Sequence, residues 1–242
     1  MRRIFLPDHQ ISDNIIIAGE KAVYLSVVLR TVPGDTLFIH DNAGNVFRTT
    51  VLSSGRKEVA ARVEERLPSI QESPVRIRLY QGMLKGEKMD LVVQKAVELG
   101  VHEIVPVVTG RSQVRETRKL ARWRKIAEEA ARQSGRPVIP AVQDVIGYDG
   151  IFHNDNAEAV RGIIFWEGGG DPLQRVVSGL HGLRRIDLIT GPEGGFSETE
   201  VRIAHGSGFV TASLGSRILR AETASIAVVS IVQFALGDLG AV

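Results

Sequence analysis

Beyond residue 74 short apolar runs alternate with helical patterns, and before residue 68 they do not. That change of rhythm constrains the fold more than any other feature of the chain. Strands are expected at 75–80, 103–108, 162–166, 186–190 and 209–213, and helices at 87–99, 119–133, about 172–178, 198–205 and 221–236. Gly100 and the pair Ser134-Gly135 supply helix stops. Strands that alternate with helices pair in parallel and are covered by those helices, and ligands of such sheets sit at the carboxyl ends of the strands. The chemistry is therefore expected in this half.

The first 72 residues read differently. Short β runs at 14–17, 36–39, 46–52 and 58–63 are punctuated by turn signals at Pro33-Gly34-Asp35, Asp41-Asn42-Ala43-Gly44 and Ser53-Ser54-Gly55. A small β-barrel is the economical expectation, with a helix over 20–30 because Ala22, Leu25 and Leu29 repeat at helical spacing. The segment 68–74, PSIQESP, has two prolines and two serines and reads as a linker, so the expected domains are 1–72 and 73–242. A chain of 242 residues, 43% of them hydrophobic, is large and apolar enough to bury both cores.

Several function classes drop out. With no cysteine there is no disulfide framework, no thiol chemistry and no cysteine-ligated metal site. None of the six histidines lies in H-E-x-x-H and no serine lies in G-x-S-x-G, so hydrolase readings fare poorly and no metal is expected. The start meets Pro7 and Asp8 before any signal-length apolar run, and the stretch 224–235 is too short and too polar to span a bilayer, so the expected setting is the cytoplasm without a membrane. The formal charge is only +2, but between Arg111 and Arg136 nine lysines and arginines face three glutamates, which marks a candidate anion-facing surface.

Three loops at expected strand ends carry the candidate chemistry. In Ile186–Glu200 a strand enters the loop Thr190-Gly191-Pro192-Glu193-Gly194-Gly195, and Ser197 with Glu200 forms a capping box that opens the next helix. Its glycines let backbone groups approach a flat ligand where a Cβ would collide, although a tight connection without ligand has the same composition. No phosphate-binding glycine pattern occurs in the chain, and Glu193 would repel a phosphate, so an uncharged or cationic ligand suits the loop. The second loop runs from Ser213 to Ala224 and mixes Leu214, Gly215, Ile218 and Leu219 with Arg217, Arg220, Glu222 and Thr223. The carboxylate of Glu222 also suits a first helical turn, with Arg220 as its partner. The third, Trp166-Glu167-Gly168-Gly169-Gly170, ends another strand. Lys85 and Lys88 stand at a helix entrance, where a cation is disfavoured unless it meets an anion. The helix 221–236 is apolar nearly all round, which fits central packing or a subunit interface.

Four separated segments resemble the ribosomal RNA small subunit methyltransferase E family, a uridine-N3 methyltransferase family: KGEKMDLVVQKAVELGV at 85–101, RWRKIAEEAARQSGR at 122–136, GPEGGFS at 191–197 and LGSRILRAETA at 214–224. MRRIF at the start and VVLRTVPGD at 27–35 resemble its N-terminal domain, so the resemblance spans nearly the whole chain. It implies a SPOUT-type α/β domain, a parallel sheet whose C-terminal part threads a trefoil knot, after a PUA-like β-barrel that binds RNA. It further implies a homodimer, 16S ribosomal RNA or the small ribosomal subunit as partner, and S-adenosyl-L-methionine as cofactor. The donor-binding residues it implies are Trp166, Glu167, Thr190, Gly191, Pro192, Glu193, Gly194, Gly195, Leu214, Gly215, Ile218, Leu219, Thr223 and Ala224, with Ile218 and Leu219 sandwiching adenine. Arg220 and Glu222 are the expected catalytic pair, one for the uridine anion and one for its proton. Arg2, Arg3, Arg30, Lys85, Lys88, Arg111, Arg115, Arg132 and Arg136 are the expected RNA contacts. Phe165-Trp166-Glu167 is bulkier than the resemblance leads one to expect. The alternatives kept beside it are a non-catalytic RNA-binding ribosome assembly factor and a nucleotide-dependent enzyme of another class; donor binding separates the first from the methyltransferase.

Overall fold

The computed structural model describes residues 2–6, 11–68, 72–153 and 161–240. The chain divides into two compact units: Met1–Glu72 with Ala131–Ile139, and Ser73–Ala130 with Pro140–Val242. The sequence reading assigns 131–139 to the second domain, yet these residues pack with the first unit: the Arg132 guanidinium lies 4.4 Å from the centre of the Tyr24 ring, and Arg136 pairs with Glu72. Of the expected linker, residues 69–71 lie outside the described residues.

The first unit is built on β1 (Arg3–Phe5), β2 (Asn14–Ala18), β3 (Thr36–His40), β4 (Val46–Ser54) and β5 (Glu58–Leu67), in the order β1-β3-β4-β5-β2. β1 lies parallel to β3, and the remaining pairs are antiparallel. Among the described residues the edge strands β1 and β2 do not pair with each other, so the sheet is open where a closed barrel is expected. The alternation in β2, with Ile15 and Ile17 buried and Ile16 exposed, is what a half-covered strand requires. These two join Leu25, Leu37, Ile39, Val51 and Val59 in one core, each buried side chain contributing about 1.5–3 kcal/mol. The expected helix 20–30 is α1 (Glu20–Val23) continued by a π-helical turn over Tyr24–Val28.

The second unit contains β6 (Arg76–Gly82), α2 (Lys88–Glu98), β7 (Glu103–Val108), α3 (Leu120–Ser134, whose last turn belongs to the first unit), β8 (Ala141–Val142), β9 (Ile146–Gly147), β10 (Arg161–Phe165), β11 (Asp171–Pro172), α4 (Leu173–Ser178), β12 (Arg185–Thr190), α5 (Glu198–Gly206), β13 (Val210–Ser213) and α6 (Ala221–Leu236). Its eight-stranded sheet runs β11-β13-β10-β12-β6-β7-β8, with β9 also on β7, and every pair is parallel. Consecutive residues are buried along β6 (79–82), β7 (104–107) and β12 (186–190), the pattern of strands covered on both faces rather than on one. β12 lies between β10 and β6, and β13 returns to the far side of β10. The carboxyl ends of β13, β10 and β12 therefore stand side by side.

Candidate active site

Those three strand ends open into a cavity of about 720 Å³. The turn after β10 supplies Trp166 and Glu167; the loop after β12 supplies Gly191, Pro192, Glu193 and Gly195; the loop after β13 supplies Leu214 to Arg220. Each loop is short because a helix or strand starts soon after it. The expected capping box closes the second one: Ser197 Oγ accepts from the Glu200 amide, and Glu200 Oε2 accepts from the Ser197 amide at 2.8 Å. Gly195 has φ +65°, where an L side chain is strained, and a Cβ there would displace the Glu167 carboxylate from its place in the cavity wall.

Under the cavity lies a polar floor absent from the sequence expectation. Gln81 at the end of β6 is fully buried, and its Oε1 accepts from Thr190 Oγ1 at 3.0 Å and from Ser225 Oγ at 2.6 Å. This joins β6, β12 and α6 at one point; Thr190 was expected at the site, Gln81 and Ser225 were not. Next to it Gly82 brings β6 against the second loop, where a Cβ would stand 2.5 Å from the Pro192 nitrogen. The only sequence signal for this floor is a glutamine at the end of a strand, next to the apolar pair Leu79-Tyr80.

Most expected donor contacts line the cavity, but two do not. Gly194 turns outward, its carbonyl accepting from Arg111 Nη1 at 3.2 Å, and Thr223 is exposed. Ile218 is in the lining and 90% exposed. Arg217, unassigned by the sequence reading, lines the cavity beside Arg220. Glu222 is 9% exposed and stands behind the lining residues: its Oε2 is buried without a hydrogen-bond partner, 3.6 Å from Lys88 Nζ. Lys88 is itself in the lining and lies 3.2 Å from Glu193 Oε1, while the Lys85 amide donates to the same oxygen at 3.1 Å. Burial pushes the Glu193 carboxyl up, but the Lys85 amide, its own amide and the Lys88 ammonium together hold it below the ordinary glutamate value.

The expected RNA contacts scatter. Arg30, Arg111 and Arg115 are exposed, and Arg115 donates to the Gly110 carbonyl. Arg2 pairs with Asp35 at 2.7 Å, and Arg3 lies beside Gly135. Arg136 is the clear departure: it is 8% exposed and its guanidinium is bound to Glu72, which makes it a tie within the first unit rather than a surface for phosphate. Lys85 uses its amide and Lys88 its ammonium on carboxylates of the chain itself. Among the described residues no group of three or more histidine, aspartate or glutamate side chains could hold a metal, and no helix is long and apolar enough to cross a membrane.

A strand-end cavity walled by glycine loops defines a ligand-binding α/β domain, and comparison with known proteins says which. Residues 71–233 match the model of the RNA methyltransferase domain. The chain is 30% identical to the ribosomal RNA small subunit methyltransferase E of Bacillus subtilis, over 90% of this chain and 89% of that one. It is also 30% identical to the protein of that name from Buchnera aphidicola, over 98% and 94%. The crystal structure of a ribosomal RNA small subunit methyltransferase E from Neisseria gonorrhoeae bound to S-adenosyl methionine superposes with a TM-score of 0.89 at 33% identity, covering 98% of this chain and 99% of that one. The chain belongs to the ribosomal RNA small subunit methyltransferase E family.

Proposed function

We propose that this protein uses S-adenosylmethionine to methylate N3 of a uridine in 16S ribosomal RNA. The observation that carries the reading is the cavity at the ends of β10, β12 and β13. Gly191, Gly195 and Gly215 leave backbone groups bare for a flat adenine, and the carboxylates of Glu167 and Glu193 suit a cationic sulfonium better than a phosphate. Bound there, S-adenosylmethionine supplies a methyl group made electrophilic by its sulfonium. Uridine N3 carries a proton at neutral pH and is a poor nucleophile until that proton leaves. Glu222, with a buried oxygen lacking a hydrogen-bond partner, is the destination for it, and Arg220 at the rim offsets the negative charge left on the base.

Family membership extends the reading to the rest of the chain. The open sheet of the first unit acts as a PUA-like RNA-binding module, the segment from β10 to α6 forms a trefoil knot, and Ile231 and Phe234, 41% and 73% exposed on α6, belong to a homodimer contact. Arg111 and Arg115 are the exposed cations of the second unit assigned to RNA. Titration calorimetry with S-adenosylmethionine should give heat, and labelled donor should methylate small subunits that lack the modification, with mass analysis of the nucleoside placing the methyl on N3. Neither heat nor thermal shift at millimolar donor would remove the methyltransferase reading. A methyl on ribose or on uracil C5 would correct the acceptor.

A further inference from the structure

Glu222 as the proton's destination leaves a gap between it and the cavity. Its side chain is 11% exposed, and the ion pair it makes among the described residues is with Lys88. Lys88, by contrast, lines the cavity with a side chain 37% exposed. A lysine in the first turn of an α-helix is opposed by the helix dipole, which here is offset by two carboxylates, Glu193 at 3.2 Å and Glu222 at 3.6 Å. The ammonium thus stands between the cavity and the buried oxygen.

We propose that Lys88 is a catalytic residue that carries the acceptor's proton from the cavity to Glu222. The inference rests on the methyl-transfer reading above. Lys88 first gives one of its three protons to Glu222 Oε2, which frees the lone pair on its nitrogen, and that lone pair takes the proton as the N3–H bond breaks. The electron pair left on N3 forms the bond to the donor's methyl carbon, and the pair of the broken sulfur–carbon bond stays on sulfur. Lys88 ends as an ammonium and Glu222 as a neutral acid, so atoms and charge balance. Glu193 is the partner that remains: once Glu222 is neutral, the ammonium keeps one ionised carboxylate beside it, fixed by the Lys85 amide. The flexible four-carbon stem lets Nζ close the gap to Glu222, and such contacts often tighten only when substrate is in place.

The test is single-turnover methylation of deficient small subunits at saturating donor and RNA, with donor and RNA affinities measured separately. Lys88→Met should slow the step on the order of 10²-fold with donor affinity unchanged. Lys88→Arg keeps the charge and its two ion pairs, and so the fold, but a guanidinium does not give up a proton; it should be about as slow as Lys88→Met. In a Glu222→Gln background Lys88→Met should add little further loss, because the two act as a unit. A Lys88→Arg enzyme near the wild-type rate would show that charge alone matters and would overturn the relay. An unchanged rate at saturation in Lys88→Met, with the salt slope of RNA binding reduced by roughly 0.7, would make Lys88 a phosphate contact and overturn it too. Wild-type protein that leaves the subunits unmethylated would overturn the functional reading itself, a result distinct from either.

Discussion

At the amino end of the parallel sheet Glu103 and Asp187 flank Arg78 on neighbouring strands, whereas at the carboxyl end Glu193 and Glu222 share one lysine between a loop and two helices. In the first cluster the ladder itself sets the spacing, since Arg78 is in register with Asp187 on β12 and with Glu103 on β7. Arg78 Nε donates to Glu103 Oε2, its Nη1 donates to Tyr80 Oη at 3.1 Å, and Gln143 Nε2 donates to Glu103 Oε1. Burial raises the Asp187 carboxyl above its ordinary value despite the opposing pull of Arg78 and Arg185. In the second cluster Glu193 sits on a loop and Lys88 and Glu222 on first helical turns, with Glu222 Oε2 outside hydrogen-bonding distance of Lys88. The same residue types therefore serve differently: carried on paired strands they are locked and contribute to the fold, while carried on loops and helix starts they keep freedom to exchange partners and protons.

Exchanging single members of each cluster should separate these roles. The largest effect is expected for Glu222→Gln, which should lower the single-turnover methylation rate by about 10² to 10⁴ while leaving donor affinity and the unfolding midpoint nearly unchanged. Equal activity of this variant and wild type would assign the proton elsewhere. Arg78→Ala should do the reverse: by leaving the Glu103 carboxylate without its strand-borne partner it should destabilise the fold by about 3 kcal/mol in urea unfolding, with donor binding by the folded fraction intact. A loss of donor affinity instead would mean that the two ends of the sheet are coupled. The smallest effect concerns pH. Because the folded Asp187 carboxyl titrates above its unfolded value of 3.8, the native state holds the extra proton between the two values, so its contribution to stability falls as pH rises through that window. Asp187→Asn should remove that decline, read as a flatter rise and fall of the urea midpoint from just below the ordinary carboxylate value upward; a profile superimposable on wild type would show that Asp187 is not buried in solution.

The carboxyl-end site was largely legible in sequence and the amino-end cluster was not, for a physical reason. Strand-to-helix loops announce themselves locally: the capping box at Ser197 and Glu200 and the helix from Ala221 to Leu236 need only neighbours within a few residues. The row Asp187, Arg78 and Glu103 depends on strand order and register, which no local pattern encodes. Likewise Lys88 could be read as a cation seeking an anion, but its partners lie more than 100 residues away. The floor formed by Gln81, Thr190 and Ser225 joins three distant elements and was missed for the same reason, as was the packing of 131–139 with the first unit. The π-helical turn at Tyr24–Val28 keeps helical spacing of its apolar residues, so periodicity alone reads it as continuous α-helix.

The chain has two tryptophans, and their settings differ. Trp123 is sealed in the second unit, 1% exposed, with its indole N–H on Asp90 Oδ1 at 2.9 Å, while Trp166 stands in the cavity wall. Ultraviolet emission from the first indole thus follows the integrity of the fold, and emission from the second follows what occupies the wall beside it. A Trp123→Phe chain would leave a single tryptophan, at the ligand site, so occupancy could be followed in real time without attaching a dye.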